Sequence, residues 1–273
     1  VNTQSNYNMV VAVKPDDPDF VLLGATNLFR SRDGFATAPA DTTADDSFSD
    51  DYEKDEYWIG GYAKANNVSQ YPEQHPDQHA IVFDPDNPDR VWAGHDGGLS
   101  LTEDITDGSV SWADRDNGYV TSQFYTVAIA PAENGNRIMG GTQDNGTPYF
   151  RVNNNNQQST DVVDVSSGDG AYTYWGTDYA FVSTQNGNVL RSQLEDNGDV
   201  TSPYDGSTFT QYTDITPSGA ANQLFIHPYV IDPNDESNMY YPAGRNMWRN
   251  TNIDQNDGSS NWESFFTMPE SGY

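Results

Sequence analysis

The sequence has no cysteine, which excludes a disulfide framework and thiolate metal sites. Basic residues are nearly as scarce. Nine Arg and three Lys (Lys14, Lys54, Lys64) face 41 Asp and Glu over 273 residues, for a formal charge of −29. A nucleic-acid binder needs a cationic footprint to release phosphate counterions, so neither nucleic acid nor an anionic membrane suits this chain as a partner. No run of about 18 apolar residues exists, and no membrane span is expected. No stretch sustains a 3.6-residue apolar period, so very little helix is expected. Val1 is not an initiator methionine and no signal peptide precedes it, so the chain reads as a mature or excised piece of something longer.

What the sequence has instead is aromatic residues and repetition. Trp, Tyr and Phe make up 13% of the chain, enough for a packed core despite a composition that otherwise leans toward disorder. Five stretches follow one template: an apolar strand, an Asp/Pro/Asn turn, a second strand, a Gly/Asn/Asp turn, and a third strand that usually ends in Arg. They fall at about 9–40, 75–118, 123–165, 169–213 and 223–268, with an acidic insertion at 41–70. Fourth strands are expected near Val110–Trp112, Phe209–Tyr212 and Trp262–Phe266. The strands are short, rich in Val, Ile, Tyr and Phe, and bounded by residues that supply turn geometry. Four short strands per module of about 45–55 residues is the signature of β-propeller blades. The expected fold is all-β: one β-propeller domain or propeller fragment over 1–273, with five recognisable four-stranded modules that form a five-bladed ring or part of a larger one.

Pro15-Asp-Asp-Pro18, Asp84-Pro-Asp-Asn-Pro88 and Asp232-Pro-Asn-Asp235, each followed by a strand and a Gly turn, resemble the secreted BNR or Asp-box propellers, which include sortilin-type and xyloglucanase-like domains. His75-Pro-Asp-Gln-His79, Gly94-His-Asp-Gly-Gly98, Gln123-Phe-Tyr125 and Gly141-Thr-Gln-Asp-Asn-Gly146, in this order, look like propellers of type IX-secreted surface proteins of Bacteroidetes. The Asp-box itself survives as Ser31-Arg-Asp-Gly-Phe-Ala-Thr37. No motif matches the hydrolases' catalytic carboxylates. The resemblance implies an extracellular or cell-surface protein with further blades or domains in a longer chain. Its partner would be an extracellular polysaccharide or a surface protein. Catalysis by a carbohydrate-active hydrolase or lyase and sortilin-like peptide binding are the alternatives.

Blade geometry places the link into each first strand and the turn between second and third strands on one rim. His75, Asp77, His79, His95, Asp96, Gln143, Asp144 and Asp169 are therefore expected on one ligand-binding face. His75, Asp77 and His79 alternate, so in an extended segment they would share a side. Three readings stay open for them: a structural network, a transition-metal site, or a general base within a catalytic group drawn from Asp77, His79 and Asp144. Calcium is the other candidate ion, with Asp45, Asp46, Asp50, Asp51 and the Asp254–Gly258 loop as compositional candidates. Asp96-Gly97 and Asn145-Gly146 are expected in tight turns that tolerate positive φ. Arg30, Arg151, Arg191 and Arg249 share one module position and are expected to pair with a carboxylate or carbonyl inside their own blade. Tyr57, Trp58, Tyr119 and Tyr125 are candidates for stacking on sugars.

Overall fold

A computed structural model describes residues 3–4, 7–37, 56–62, 71–119, 121–132, 136–152, 159–200, 212–255 and 260–269. The chain is all-β. Among the described residues the strands form five four-stranded antiparallel sheets, each in sequence order and each one module of the repeat. Blade 1 has β1 (Val10–Lys14), β2 (Asp17–Gly24), β3 (Leu28–Ser31) and β4 (Trp58–Gly60). Blade 2 has β5 (Gln78–Phe83), β6 (Val91–His95), β7 (Gly98–Thr102) and β8 (Ala113–Asp114). Blade 3 has β9 (Ala128–Ile129), β10 (Arg137–Met139), β11 (Pro148–Val152) and β12 (Ser159–Asp164). Blade 4 has β13 (Gly170–Trp175), β14 (Tyr179–Thr184), β15 (Asn188–Gln193) and β16 (Thr213–Asp214). Blade 5 has β17 (Val230–Asp232), β18 (Asp235–Ala243), β19 (Asn246–Asn250) and β20 (Glu263–Thr267). These are β-propeller blades. They fall into two compact units, blades 1 and 2 in the first (Val1–Val120) and blades 3 to 5 in the second (Thr121–Tyr273).

The turn residues account for the local structure. In blade 1, Lys14 pairs with Asp17 across a two-residue hairpin, and in blade 5 Asp232 pairs with Asp235. Asp84, Asp104, Asp107, Asp214, Asp232 and Asp235 each accept a hydrogen bond from the backbone N–H two residues on. This Asx geometry mimics a backbone turn and suits short strands. The donors hold the Asp84, Asp104 and Asp235 carboxyls below the usual range: chiefly the Asp86 amide for Asp84, the Thr106 hydroxyl for Asp104 and the Ser237 hydroxyl for Asp235. The Ser31–Thr37 stretch is a compact turn. Ser31 Oγ donates to Asp33 and accepts from Phe35 N at 2.7 Å, and Gly34 N donates to Asp19 O. Gly34 and Phe35 there adopt φ of 65° and 60°.

Packing between consecutive blades builds the cores. Leu22, Leu28, Ile59, Val91, Ala93, Ile105 and Trp112 join blades 1 and 2, and Phe181, Ile215, Ile231, Met239, Tyr241 and Ile253 join blades 4 and 5. A third cluster, including Met139, Tyr149, Trp175 and Leu190, joins blades 3 and 4. Two polar devices repeat. Arg30 Nη1 donates to Ile105 O and Asp107 O of the next blade, both at 2.7 Å. Arg191 Nη1 likewise donates to Ile253 O and to Gln255 O. In the reverse direction, Trp112 Nε1 donates to Ile59 O at 2.7 Å and Trp262 Nε1 to Ile215 O at 2.8 Å.

Several sequence expectations change here. Arg30 and Arg191 serve mainly the neighbouring blade, because the third strand's forward face meets the next blade's loop. The fourth strand of blade 1 lies at Trp58–Gly60, within the stretch expected to be an insertion, and Trp58 is a core residue at 4% exposure. Asp45, Asp46, Asp50 and Asp51, most of the Asp254–Gly258 loop, and the side chain of Arg151 lie outside what is described.

Candidate functional site

In the first unit, the link into β5 and the β6–β7 turn meet at one rim, as blade geometry requires. Asp77 N and Gln78 N donate to Thr26 O and Ala25 O, each at 2.8 Å, which seats the link on the β2–β3 turn of blade 1. Asp96 N donates to Asp77 O at 3.2 Å. Gln78 Nε2 ties back to His75 O at 2.7 Å. His95 pairs with Gly98 across the two-residue Asp96-Gly97 turn, and the positive φ falls on Gly98 at 125° rather than within the dipeptide. A methyl group on Gly98 would lie 1.8 Å from the Asp116 carboxylate, which accepts from Leu99 N at 2.7 Å. Gly98→Ala is accordingly expected to cost about 2 kcal/mol or more, from strained φ plus displacement of Asp116. Thermal unfolding measures it, and a loss under about 0.5 kcal/mol would show that the turn relaxes freely.

Three side chains converge above this turn. His79 Nε2 lies 2.5 Å from Asp96 Oδ1, and the Tyr7 hydroxyl donates to the two Asp96 oxygens at 3.3 and 3.2 Å. Tyr7 meets the His79 ring edge-on at 5.1 Å. The Tyr7 and His79 side chains are open to solvent, with Tyr7 at 49% exposure. Beneath them, His75 stacks on His95 at 6.0 Å. Both His95 nitrogens are buried with no hydrogen-bond partner among the described residues. Burial, reinforced by the neighbouring His75, pushes the His95 imidazole down to about 4. His95 is thus a neutral platform at physiological pH. Tyr119, 67% exposed, donates its backbone N–H to Asp116 O, the residue whose carboxylate accepts from Leu99 N.

His75, Asp77 and His79 do not share one side. Asp77 takes φ of 64°, which breaks the extended alternation the metal reading needs. Its buried carboxylate accepts from Gln4 Nε2 at 2.6 Å and from Asn8 Nδ2. His79 turns to Asp96, and His75 to His95. Among the described residues, no three His, Asp or Glu side chains come together as a metal-holding group.

The second unit holds the other predicted residues. Asp144, at φ 57°, donates its backbone N–H to Asp169 Oδ1 at 3.2 Å, while Asp169 N donates to Gln185 Oε1. Gln143 N bonds Gln123 O, and Gly146 N bonds Gly168 O at 2.7 Å. The turn expected at Asn145-Gly146 is therefore shaped by Asp144 and Gly146, and it ties blade 3 to the link entering blade 4. Sequence reasoning missed Tyr7, Asn8 and Asp116. Tyr7 and Asn8 precede β1 as His75–Asp77 precede β5, so the same module logic would have found them.

No family model and no curated protein matches this chain. Among solved structures, it is similar to a putative phosphatase from Bacteroides thetaiotaomicron (14% identity, TM-score 0.34, 70% of this chain and 48% of that one). It is also similar to a GH74 enzyme from Niastella koreensis (14%, 0.31, 95% and 41%) and to the GH74 xyloglucanase from Xanthomonas campestris (14%, 0.30, 88% and 36%). The chain spans less than half the length of each. At these scores the likeness assigns neither an activity nor a ligand.

Proposed function

We propose that this protein is a secreted or cell-surface binding propeller that engages an extracellular polysaccharide through the rim around the β6–β7 turn. The observation that carries this reading is the Tyr7–Asp96–His79 group. It sets an exposed aromatic face beside a carboxylate held in place by two hydrogen bonds. Sugars present apolar C–H faces that stack on aromatic rings and hydroxyls that donate to carboxylates, and a carboxylate has about four acceptor sites, only some of them used here. Tyr119, three residues after Asp116, is a second exposed ring in the same blade. Screening of glycan arrays, followed by titration of the hits, tests the reading. Tyr7→Ala and Asp96→Asn are each expected to weaken binding by about tenfold or more with folding intact. A protein that retains no glycan from a broad array, or whose hits ignore both substitutions, is not this kind of binder.

A second reading, a carbohydrate-active hydrolase, has one observation in its favour. Asp144 and Asp169, from adjoining blades, are joined by a backbone hydrogen bond. Hydrolysis needs two carboxyl groups about 5–9.5 Å apart across a scissile bond. Release of reducing ends that disappears in Asp144→Asn would move the protein to that class.

A further inference from the structure

Strand register makes three blade faces directly comparable. In blade 1 the row Ala12, Leu22, Arg30 runs across the sheet, in blade 4 the row Tyr174, Phe181, Arg191, and in blade 5 the row Val230, Tyr240, Arg249. Across from these arginines stand Tyr57, Thr213 and Glu263, and two residues further along each chain come Ile59, Ile215 and Phe265. In blades 1 and 4 the second- and third-strand members of the row are covered by the next blade, and Ala12 and Tyr174 are half-buried. Leu22, Ile59 and Ile215 are 0% exposed, Phe181 is 1%, Arg30 is 0% and Arg191 is 4%. In blade 5 the matching Tyr240 and Arg249 are only half-buried, and around them Val230 is 60% and Phe265 45% exposed, with Phe266 and Met268 at 51% and 49%. Arg249, which should reach across to two loop carbonyls, instead folds back onto Glu263 of its own β20 and over the Phe265 ring at 5.2 Å.

We propose that this face seats a further blade, the next along the polypeptide beyond residue 273. The contact it would make is already drawn twice in this molecule. The seated blade supplies an Ile and two loop carbonyls after its third strand (Ile105, Asp107; Ile253, Gln255) and an indole N–H just before its fourth (Trp112, Trp262). Both times it is the blade that follows in sequence. The occupant is therefore a module that brings its own Ile and Trp. On docking, Arg249 exchanges Glu263 for two carbonyls, and the Phe265 carbonyl receives the indole.

These 273 residues hold no cysteine, so a single introduced thiol can be followed in this chain without interference. Phe265→Cys and, as a buried control, Ile215→Cys are placed singly in the 273-residue chain and in the natural gene product, and thiol modification by DTNB is timed. In the 273-residue chain Phe265→Cys is expected to react at least about tenfold faster than in the natural protein, while Ile215→Cys stays protected in both. Hydrogen exchange of 260–269 in the two unsubstituted proteins gives the same comparison without substitution. Equal rates in the two proteins overturn the proposal, as does protection already present in a monomeric 273-residue chain. Protection that rises with concentration alongside a dimer in light scattering gives the face to a second copy, and also overturns it. Glycan binding plays no part in these readouts, so they stand or fall apart from the proposed function.

Discussion

Arg30→Ala is expected to destabilise the first unit by about 3–5 kcal/mol, and Arg191→Ala the second by a similar amount, whereas Arg249→Ala should cost less than about 1 kcal/mol. The three residues occupy one position of the repeat, so propensity and sequence context cannot explain such a spread. Arg30 is fully buried and bonds Ile105 O and Asp107 O at 2.7 Å and Glu56 O at 3.1 Å. A hydrogen bond to a charged group contributes about 1.5–3 kcal/mol, and truncation leaves the carbonyls without this donor in a buried seam. Arg191 adds a stack over the Tyr179 ring at 4.8 Å. Arg249 and Glu263 form a solvent-exposed pair, for which the net gain is small and screened. Arg30→Met separates the terms, since it restores stem packing but no donor. It should recover only part of the loss. Urea unfolding followed by tryptophan emission provides the comparison. A penalty for Arg249→Ala equal to that for Arg30→Ala would mean the seam is not what stabilises these residues.

That contrast also marks where sequence reading stopped. The repeat and the strand–turn alternation are written in local chemistry. Asp84, Asp214 and Asp232 sit where an Asx turn needs an acceptor two residues back, so a charge of −29 is in good part backbone geometry. Which carbonyl an arginine reaches is not local. Arg30 and Ile105 are 75 residues apart, and only the stacking of blade on blade brings them together. The fourth strand of blade 1 was hidden for a related reason. Trp58-Ile-Gly60 is three residues long, too short for a periodicity, and its partners lie on β3 across a long acidic connection.

The rim was half legible. The rule that first-strand links and second turns share a side correctly joins His79 to Asp96 and His75 to the Asp96-Gly97 turn, where a methyl group on Gly97 would meet His75 Cβ at 2.5 Å. What it could not supply was the backbone kink at Asp77. One left-handed residue takes Asp77 out of the extended alternation and puts its carboxylate on the Gln4 and Asn8 amides. Alternation in sequence implies a shared face only while φ stays extended.

His95 gives the second large effect, and it concerns pH. In the unfolded chain its imidazole titrates near 6.5, and in the folded protein near 4, because burial disfavours the cation more than the Asp96 and Asp114 carboxylates favour it. Between those values the unfolded chain binds more protons than the folded one, so stability falls as pH drops from about 6.5 to about 4 and the loss is complete below that. At about 1.4 kcal/mol per unit, reduced for the partial exposure of the ring, the expected loss is about 2–3 kcal/mol. His95→Phe keeps a ring to stack on His75 but cannot titrate, so the variant should lose most of the slope across this window. His227 keeps a smaller share. It is buried, donates from Nε2 to Pro242 O and accepts from Leu224 N, and its imidazole too is pushed down by burial. Carboxylates such as Asp33 and Asp84, held below their usual range by hydroxyl and amide donors, add their own losses only at lower pH. The windows are therefore separable in unfolding titrations at pH 7, 5 and 3. If His95→Phe leaves the difference between pH 7 and pH 5 unchanged, protons reach His95 in the folded protein and the platform beneath Tyr7 and His79 is wet rather than dry.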